Sequence, residues 1–243
     1  MKHRKQLVRV LFYVVGMLVL ALGLTLNAKT NLGLAPVISL PYTVSMIFDV
    51  NFENTVFISY VIFVLVEFAL VQKSDKLKTL LQIPISLLFT QIMNLFKHMI
   101  DIQASSVFMN LLLLLAAIVF TGVGAAMTLS VKLVPNPVDG VVQVLSGYLN
   151  KKVGLVKNVF DFTNAFIAFC LGWIAGNPLL GVGIGTIFCV LGIGRIFAVF
   201  NLYIKPWIQR QSGITEEGAE QVYTNATVPM PSGEAEMEGE NIL

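Results

Sequence analysis

The stretch Asn136-Pro137-Val138-Asp139 has the residue types best suited to a ligand site. Asparagine is a favoured helix N-cap, proline suits the first helical position, and an acid in the first turn lies at the positive end of the helix dipole. We therefore predict a helix that begins at Pro137, with a polar site around Asn136, Pro137 and Asp139. The free N–H groups favour an anionic or carbonyl group, whereas the Asp139 carboxylate favours a cation or a proton, so the sequence leaves the charge of the ligand open.

A counterpart occurs earlier in the chain, in Gly33-Leu34-Ala35-Pro36, where the proline is present without a capping side chain. Pro36 is therefore our candidate site residue in the first half. The two prolines open short apolar segments, at about 36–49 and 137–149, that are too short to cross ~30 Å of hydrocarbon at ~1.5 Å per residue. Two alternatives follow: re-entrant half-helices that face a central cavity, or helices that lie in the membrane interface.

Two charged residues, Asp161 and Arg195, lie deep inside apolar segments. Ionisable groups in such positions are costly and usually face a cavity or each other. We include both in the predicted substrate site. A structural Asp161–Arg195 pair is the alternative, and Lys157, four residues before Asp161, is another candidate partner. Glu67 is close enough to the end of its segment for its carboxylate to reach the membrane surface.

The elements that position these residues are membrane helices. Of the 243 residues, 56% are hydrophobic and only 12% are charged, and the mean hydropathy is +0.80. A soluble protein has about twice that charged fraction, which excludes an ordinary cytosolic enzyme or a nucleic-acid binder. Six apolar segments approach the ~20 residues needed to span a bilayer: about 7–27, 54–72, 79–97, 107–130, 154–175 and 179–200.

The chain divides into two similar halves. A shift of 101 residues places Pro36 on Pro137 and Gly23 on Gly124, and it aligns every predicted helix. Because each half has three spans, the second half must be inverted, as in many transporters. Basic residues crowd the loops of one side, which the positive-inside rule assigns to the cytoplasm together with both termini. We expect repeat one at about 7–100 and repeat two at about 107–205.

The last residues differ from the rest of the chain. Residues 1–205 form the predicted transmembrane domain, and residues 206–243 are a predicted cytoplasmic tail with seven glutamates, whose composition is typical of disorder. The apolar N-terminal stretch is longer than that of a cleaved signal peptide, so we interpret it as a retained helix. Cys170 and Cys189 lie in apolar runs and are expected to be buried thiols.

Signatures of catalysis are absent from the sequence. It contains two histidines and no H-E-x-x-H, G-x-S-x-G or phosphate-binding loop. No cluster has the spacing of a metal site. We therefore expect neither an enzyme nor a cofactor.

The chain resembles a known group of membrane proteins. The Gly23…Leu32-Gly33-Leu34-Ala35-Pro36 stretch, the Pro137-Val138-Asp139-Gly140 stretch and the glycine-rich final helix are similar to the YczE/YyaS/YitT group, over about residues 7–205. The group often has Trp-Asp after its first-half proline, where this chain has Val37-Ile38. The resemblance implies a bacterial plasma membrane and no defined substrate.

These observations favour an all-α, multi-pass inner-membrane transporter of a small molecule, with its site between the two inverted halves. The alternative is a non-transporting accessory or scaffold protein. A polar cavity between the half-helices would favour the transporter, and a solid apolar interior would favour the scaffold. The partners we expect are the lipid bilayer and a small-molecule substrate, and the sequence leaves open a homo-oligomer or a partner subunit.

Overall fold

A computed structural model describes residues 2–71, 75–102, 106–151 and 153–214. Within these ranges the chain forms ten helices and no strand. They are α1 (Lys2–Ala28), α2 (Pro36–Phe48), α3 (Phe52–Leu70), α4 (Lys76–Leu80), α5 (Gln82–Met99), α6 (Val107–Ser130), α7 (Pro137–Tyr148), α8 (Val153–Ile174), α9 (Ile184–Tyr203) and α10 (Lys205–Ser212). The protein is therefore all-α, as predicted.

Six of the described helices or helix pairs are long and apolar enough to cross a membrane: α1, α3, α4 with α5, α6, α8 and α9. They correspond to the six predicted segments. The two short apolar segments form α2 and α7, each with proline in its first turn. The sixth span begins at Ile184 instead of about 179, because Gly181 and Gly183 lie in an irregular stretch that packs against the loop after α1.

The centre of the bundle is the antiparallel pair α1 and α6. Gly16 lies against Thr128 and Gly23 against Thr121, so the two helices run in opposite directions. A Cβ atom at Gly23 would meet the backbone of α6, which shows how closely the two helices approach. Small residues permit this contact in membrane helices, where van der Waals packing provides much of the association energy.

The other helices surround this pair in matching positions. The helix α2 packs against α3 and α8, and α7 packs against α8 and α3; α5 packs on α1, and α9 packs on α6. We call the end that holds the starts of α1, α5 and α8, together with α10, the N-terminal end of the bundle. The helices α3, α6, α7 and α9 finish at this end. The loop after α1 and the start of α9 lie at the opposite end.

The region predicted as a tail begins with structure. The helix α10 starts with Lys205 and Pro206, buries Ile208 and packs against α1, α6 and α9. Trp207 of this helix contacts Phe12 of α1, with ring centroids 5.7 Å apart. The predicted disorder concerns mainly residues 215–243, which lie outside the described residues.

Candidate functional site

The start of α7 has the predicted N-cap geometry. Asn136 is in an extended conformation, and its side-chain oxygen accepts a hydrogen bond from the Val138 N–H at 3.1 Å. Pro137 occupies the first helical position, where its missing N–H costs nothing. Asp139 follows in the first turn. The local sequence thus fixes where this helix begins.

Side chains of α1 hold the segment that leads into α7. The Arg9 guanidinium donates to the Val131 carbonyl at 2.9 and 3.2 Å and to the Lys132 carbonyl at 3.1 Å. The Tyr13 hydroxyl donates to the Val134 carbonyl at 3.0 Å. These contacts satisfy carbonyl groups that follow the last turn of α6, where an α-helix leaves such acceptors without partners.

The depth of α7 follows from its neighbours on α3. Asn136 interacts with Tyr60, which is at the middle of α3, while Gly140 lies against Glu67 near the end of α3. The helix α7 therefore begins beside the middle of a spanning helix and runs towards the N-terminal end of the bundle.

A small cavity lies at the start of α7, with a volume of about 20 Å³. Most of its lining is apolar, and polar groups reach it from five different parts of the chain: Tyr13, Tyr60, Ser86, Thr128 and Asn136. Hydroxyl and amide groups can donate and accept hydrogen bonds. The volume is enough for about one water molecule, so this conformation holds no substrate-sized pocket there.

A cluster of charges lies between α7 and α8. The Lys157 ammonium is 2.9 Å from a carboxylate oxygen of Asp161, and both residues are electrostatic neighbours of Asp139. The structure thus brings together two of the predicted site acids, Asp139 and Asp161, around one lysine.

Arg195 lies elsewhere, and the alternative of a structural Asp161–Arg195 pair is wrong. Arg195 is exposed on α9 and forms no salt bridge within the described residues. The reason is that α8 and α9 do not pack along each other. The alternative partner, Lys157, pairs with Asp161 because the four-residue spacing places both on one helix face.

Pro36 is buried at the start of α2 and does not line the cavity. The preceding residue, Ala35, has no capping side chain of its own, as the sequence indicated. Its N–H donates instead to the side-chain oxygen of Asn27 in the last turn of α1, at 2.6 Å. Sequence reasoning missed Asn27, although a polar residue in the last turn of an apolar helix was a usable signal.

Glu67 was also assessed wrongly from the sequence. Its side chain is buried, and its carboxylate accepts hydrogen bonds from Thr79 at 3.1 Å and from the Gln82 amide at 2.9 and 3.0 Å. It therefore does not extend to the surface. Gly140 on α7 leaves room for this carboxylate, since a Cβ atom there would collide with it.

No group of three or more His, Cys, Asp and Glu side chains in the described ranges could hold a metal ion. Near the first turn of α7, the charged residues are Asp139, with Lys157 and Asp161 on α8, and Arg9 and Glu67 on either side of the helix. The arrangement can bind a small polar group at the cavity and a proton or a cation at the cluster.

The fold and this intramembrane polar site define a polytopic α-helical membrane protein. The chain belongs to DUF6198, a family of unknown function whose model matches residues 7–202. This match covers all six candidate spans and both half-helices, apart from the first residues of α1 and the last residue of α9. Neither a curated protein nor a solved structure matches the chain.

Proposed function

We propose that this protein transports a small molecule across a bacterial plasma membrane, with its site where α7 begins. The observation that carries the proposal is the small cavity beside Asn136, at the middle of α3, where five polar residues enter a mostly apolar lining. Irregular backbone that leads into a half-helix at such depth survives only where protein or a water-filled cavity shelters it. The resemblance to the YczE/YyaS/YitT group supports the bacterial assignment.

The predicted inverted repeat is part of this proposal. The backbone supports it: the four described non-glycine residues with positive φ are Asn31, Asp49, Lys132 and Asn150, and the 101-residue shift maps the first two onto the last two. The shift also maps the hydrogen bond from Val50 N–H to the Ser45 carbonyl onto the bond from Lys151 N–H to the Ser146 carbonyl. The reciprocal packing of α2 on α8 and α7 on α3 fits the same relation.

The small cavity volume suits a closed state of such a transporter. In alternating access, one half moves against the other around a fixed site near the midplane. Movement of α7 away from α3 would enlarge the cavity between Tyr60 and Asn136. The Asp139–Lys157–Asp161 cluster adjoins α7 and is our candidate for the site that binds the coupling proton or cation.

The closed interior also favours the second candidate, a non-transporting accessory protein. A site for a drug-sized ligand usually measures ~300–1,000 Å³, far more than the cavity described here. The exposed sides of α8 and α9 offer the surface for the oligomer or the partner subunit that the sequence leaves open.

Thiol accessibility separates the two candidates without knowledge of the substrate. In a full-length background with Cys170 and Cys189 replaced by alanine, Ser86→Cys places a thiol in the cavity wall. Transport requires that this thiol reacts with a small charged methanethiosulfonate in native membranes, because the cavity must open to water. The matched control is Ser39→Cys on α2, which is equally buried and outside the cavity. An unreactive thiol at position 86 would contradict transport through this site and favour the accessory protein.

We further propose that the N-terminal end of the bundle faces the cytoplasm. Most of the basic residues lie there, whereas Lys29 and Lys97 lie at the opposite end. Single cysteines at positions 75 and 102, one at each end, test this orientation in intact cells. An impermeant thiol reagent should label position 102 and leave position 75 unlabelled, and the reverse pattern would reject the orientation.

A further inference from the structure

Three basic residues meet at the N-terminal end of the bundle, where α1, the turn after α6 and α10 come together. We call Arg9, Lys132 and Lys205 the basic corner. Arg9 is fixed by its hydrogen bonds to the Val131 and Lys132 carbonyls. Lys132 itself has a left-handed backbone conformation, with φ of 49°. The turn therefore holds the Lys132 side chain at this junction.

The Lys132 ammonium is the unusual group of the corner. Its nitrogen is buried and has no hydrogen-bond partner among the described residues. An ammonium has three donors, and leaving donors of a buried charged group unpaired is costly. Burial lowers the pKa of Lys132, and the positive charges of Lys205 and Arg9 lower it further. Two neighbouring cations and an unpaired ammonium are an arrangement that an anion would stabilise.

The position of the corner indicates how such an anion arrives. It lies directly after the last residue of α6, at the end of a membrane span. Beside it, α10 buries Ile208 and exposes Trp207 next to Phe12. Exposed aromatic and basic residues at the ends of spans are typical of the membrane interface. At this depth a lipid headgroup can supply a phosphate.

We propose that the basic corner binds the phosphate of an anionic phospholipid, with Lys132 and Lys205 contacting the phosphate and Arg9 holding the turn. The Lys132 ammonium is enclosed in this conformation; its flexible side chain turns towards the phosphate and gains the acceptors that it lacks in the protein. The bound lipid would also connect α10 to the turn that leads into α7.

The two tryptophans of the chain allow a local test. In full-length Trp173→Phe protein, Trp207 reports on the corner; in Trp207→Phe protein, Trp173 reports on the opposite end of the bundle. Each protein is placed in phosphatidylcholine nanodiscs that contain either brominated phosphatidylglycerol or brominated phosphatidylcholine, and tryptophan quenching is measured. We expect the anionic lipid to be enriched about fivefold at Trp207 and not at Trp173.

Charge variants test whether the basic corner causes the preference of Trp207 for the anionic lipid. In the Trp173→Phe background, Lys132→Gln and Lys205→Gln should reduce it, and Lys132→Arg should retain it. The matched control is Lys78→Gln, an exposed lysine at the same end, which should leave it unchanged. Circular dichroism confirms that each variant is folded.

Three results would overturn the proposal. One is equal quenching of Trp207 by the two brominated lipids. Another is a preference that persists in Lys132→Gln or falls as much in Lys78→Gln. The third is loss of the preference on addition of inorganic phosphate, which would indicate a site for a free anion.

Discussion

The short helices α2 and α7 each begin with a proline, but different contacts hold the segments that lead into them. Before α2, backbone contacts backbone: the Leu34 N–H donates to the Gly181 carbonyl at 3.3 Å, and the Gly185 N–H donates to the Leu32 carbonyl at 2.7 Å. Before α7, the side chains of Arg9 and Tyr13 reach across from α1 to hold the chain. Close backbone packing leaves little freedom, whereas long side chains can follow a moving segment. If the proposed transport is correct, we expect α2 to be the fixed helix and α7 the one that moves.

The start of α2 is also more tightly packed than the start of α7. At the start of α2, the Asn27 side chain accepts a hydrogen bond from the Ala35 N–H, and its amide nitrogen also contacts the Cys189 sulfur at 3.5 Å. The start of α7 borders the small cavity and has Asp139 in its first turn. The start of α2 is therefore closed by packing, whereas the start of α7 leaves a small cavity.

Alanine substitutions at glycines should give the largest difference in stability between the α2 and α7 regions. Gly33→Ala should lower the free energy of unfolding by about 3 kcal/mol or more, because Gly33 has φ of +106° and a Cβ there would meet the backbone of Gly183. Gly140→Ala at α7 should lower it less, by about 1–2 kcal/mol, because the added Cβ meets only side chains, although the Glu67 carboxylate must shift within its hydrogen bonds to Thr79 and Gln82. Unfolding in detergent micelles measures both.

A control for backbone strain alone is Gly176→Ala. This residue has φ of +83° and no neighbour within 4 Å of the added Cβ, so we expect a loss of about 1–2 kcal/mol. If Gly140→Ala were as damaging as Gly33→Ala, α7 would be packed as rigidly as α2, and the comparison would fail.

Substitution of the asparagine at each helix start should give a smaller difference in the free energy of unfolding. Asn27→Ala leaves the buried Ala35 N–H without its acceptor and should cost about 1–3 kcal/mol. Asn136→Ala removes the N-cap bond and the contact with Tyr60; it should cost about 1 kcal/mol, because a water molecule in the cavity can replace the lost partner of Tyr60. Asn51→Ala, at the exposed N-cap of α3, is the matched control for a cap without a cavity. Thermal unfolding would contradict the asymmetry if Asn136→Ala were the more damaging of the two.

The smallest expected effect concerns the charges near α7. A double-mutant cycle of Lys157→Met and Asp161→Asn should give a coupling free energy on the order of 0.5 kcal/mol, because the two side chains form a partly exposed pair four residues apart. The same cycle for Asp161→Asn and Arg195→Met should give no coupling, since the structure keeps these residues on separate helices. A measurable Asp161–Arg195 coupling would mean that α8 and α9 approach each other in another state.

Much of the fold could be predicted because the bilayer restricts the choices. A span must be apolar for about 20 residues, so each spanning helix is visible as a run of hydrophobic residues. The start of α7 could be predicted for a local reason, because Asn136 and Pro137 determine the cap through bonds within a few residues. The same holds for Lys157 as a candidate partner of Asp161, since a four-residue spacing is set by the helix itself.

Other features depend on contacts between residues far apart in the chain, and only the tertiary structure decided them. Asn27 accepts the Ala35 N–H just before α2, across the loop between the helices, and Glu67 is buried because Thr79 and Gln82 fold back onto it beside Gly140. Arg195 lacks Asp161 as a partner because α8 and α9 separate. A sequence pattern gives the face that a residue occupies on its own helix, but the helix that meets that face is set by the packing of the whole bundle.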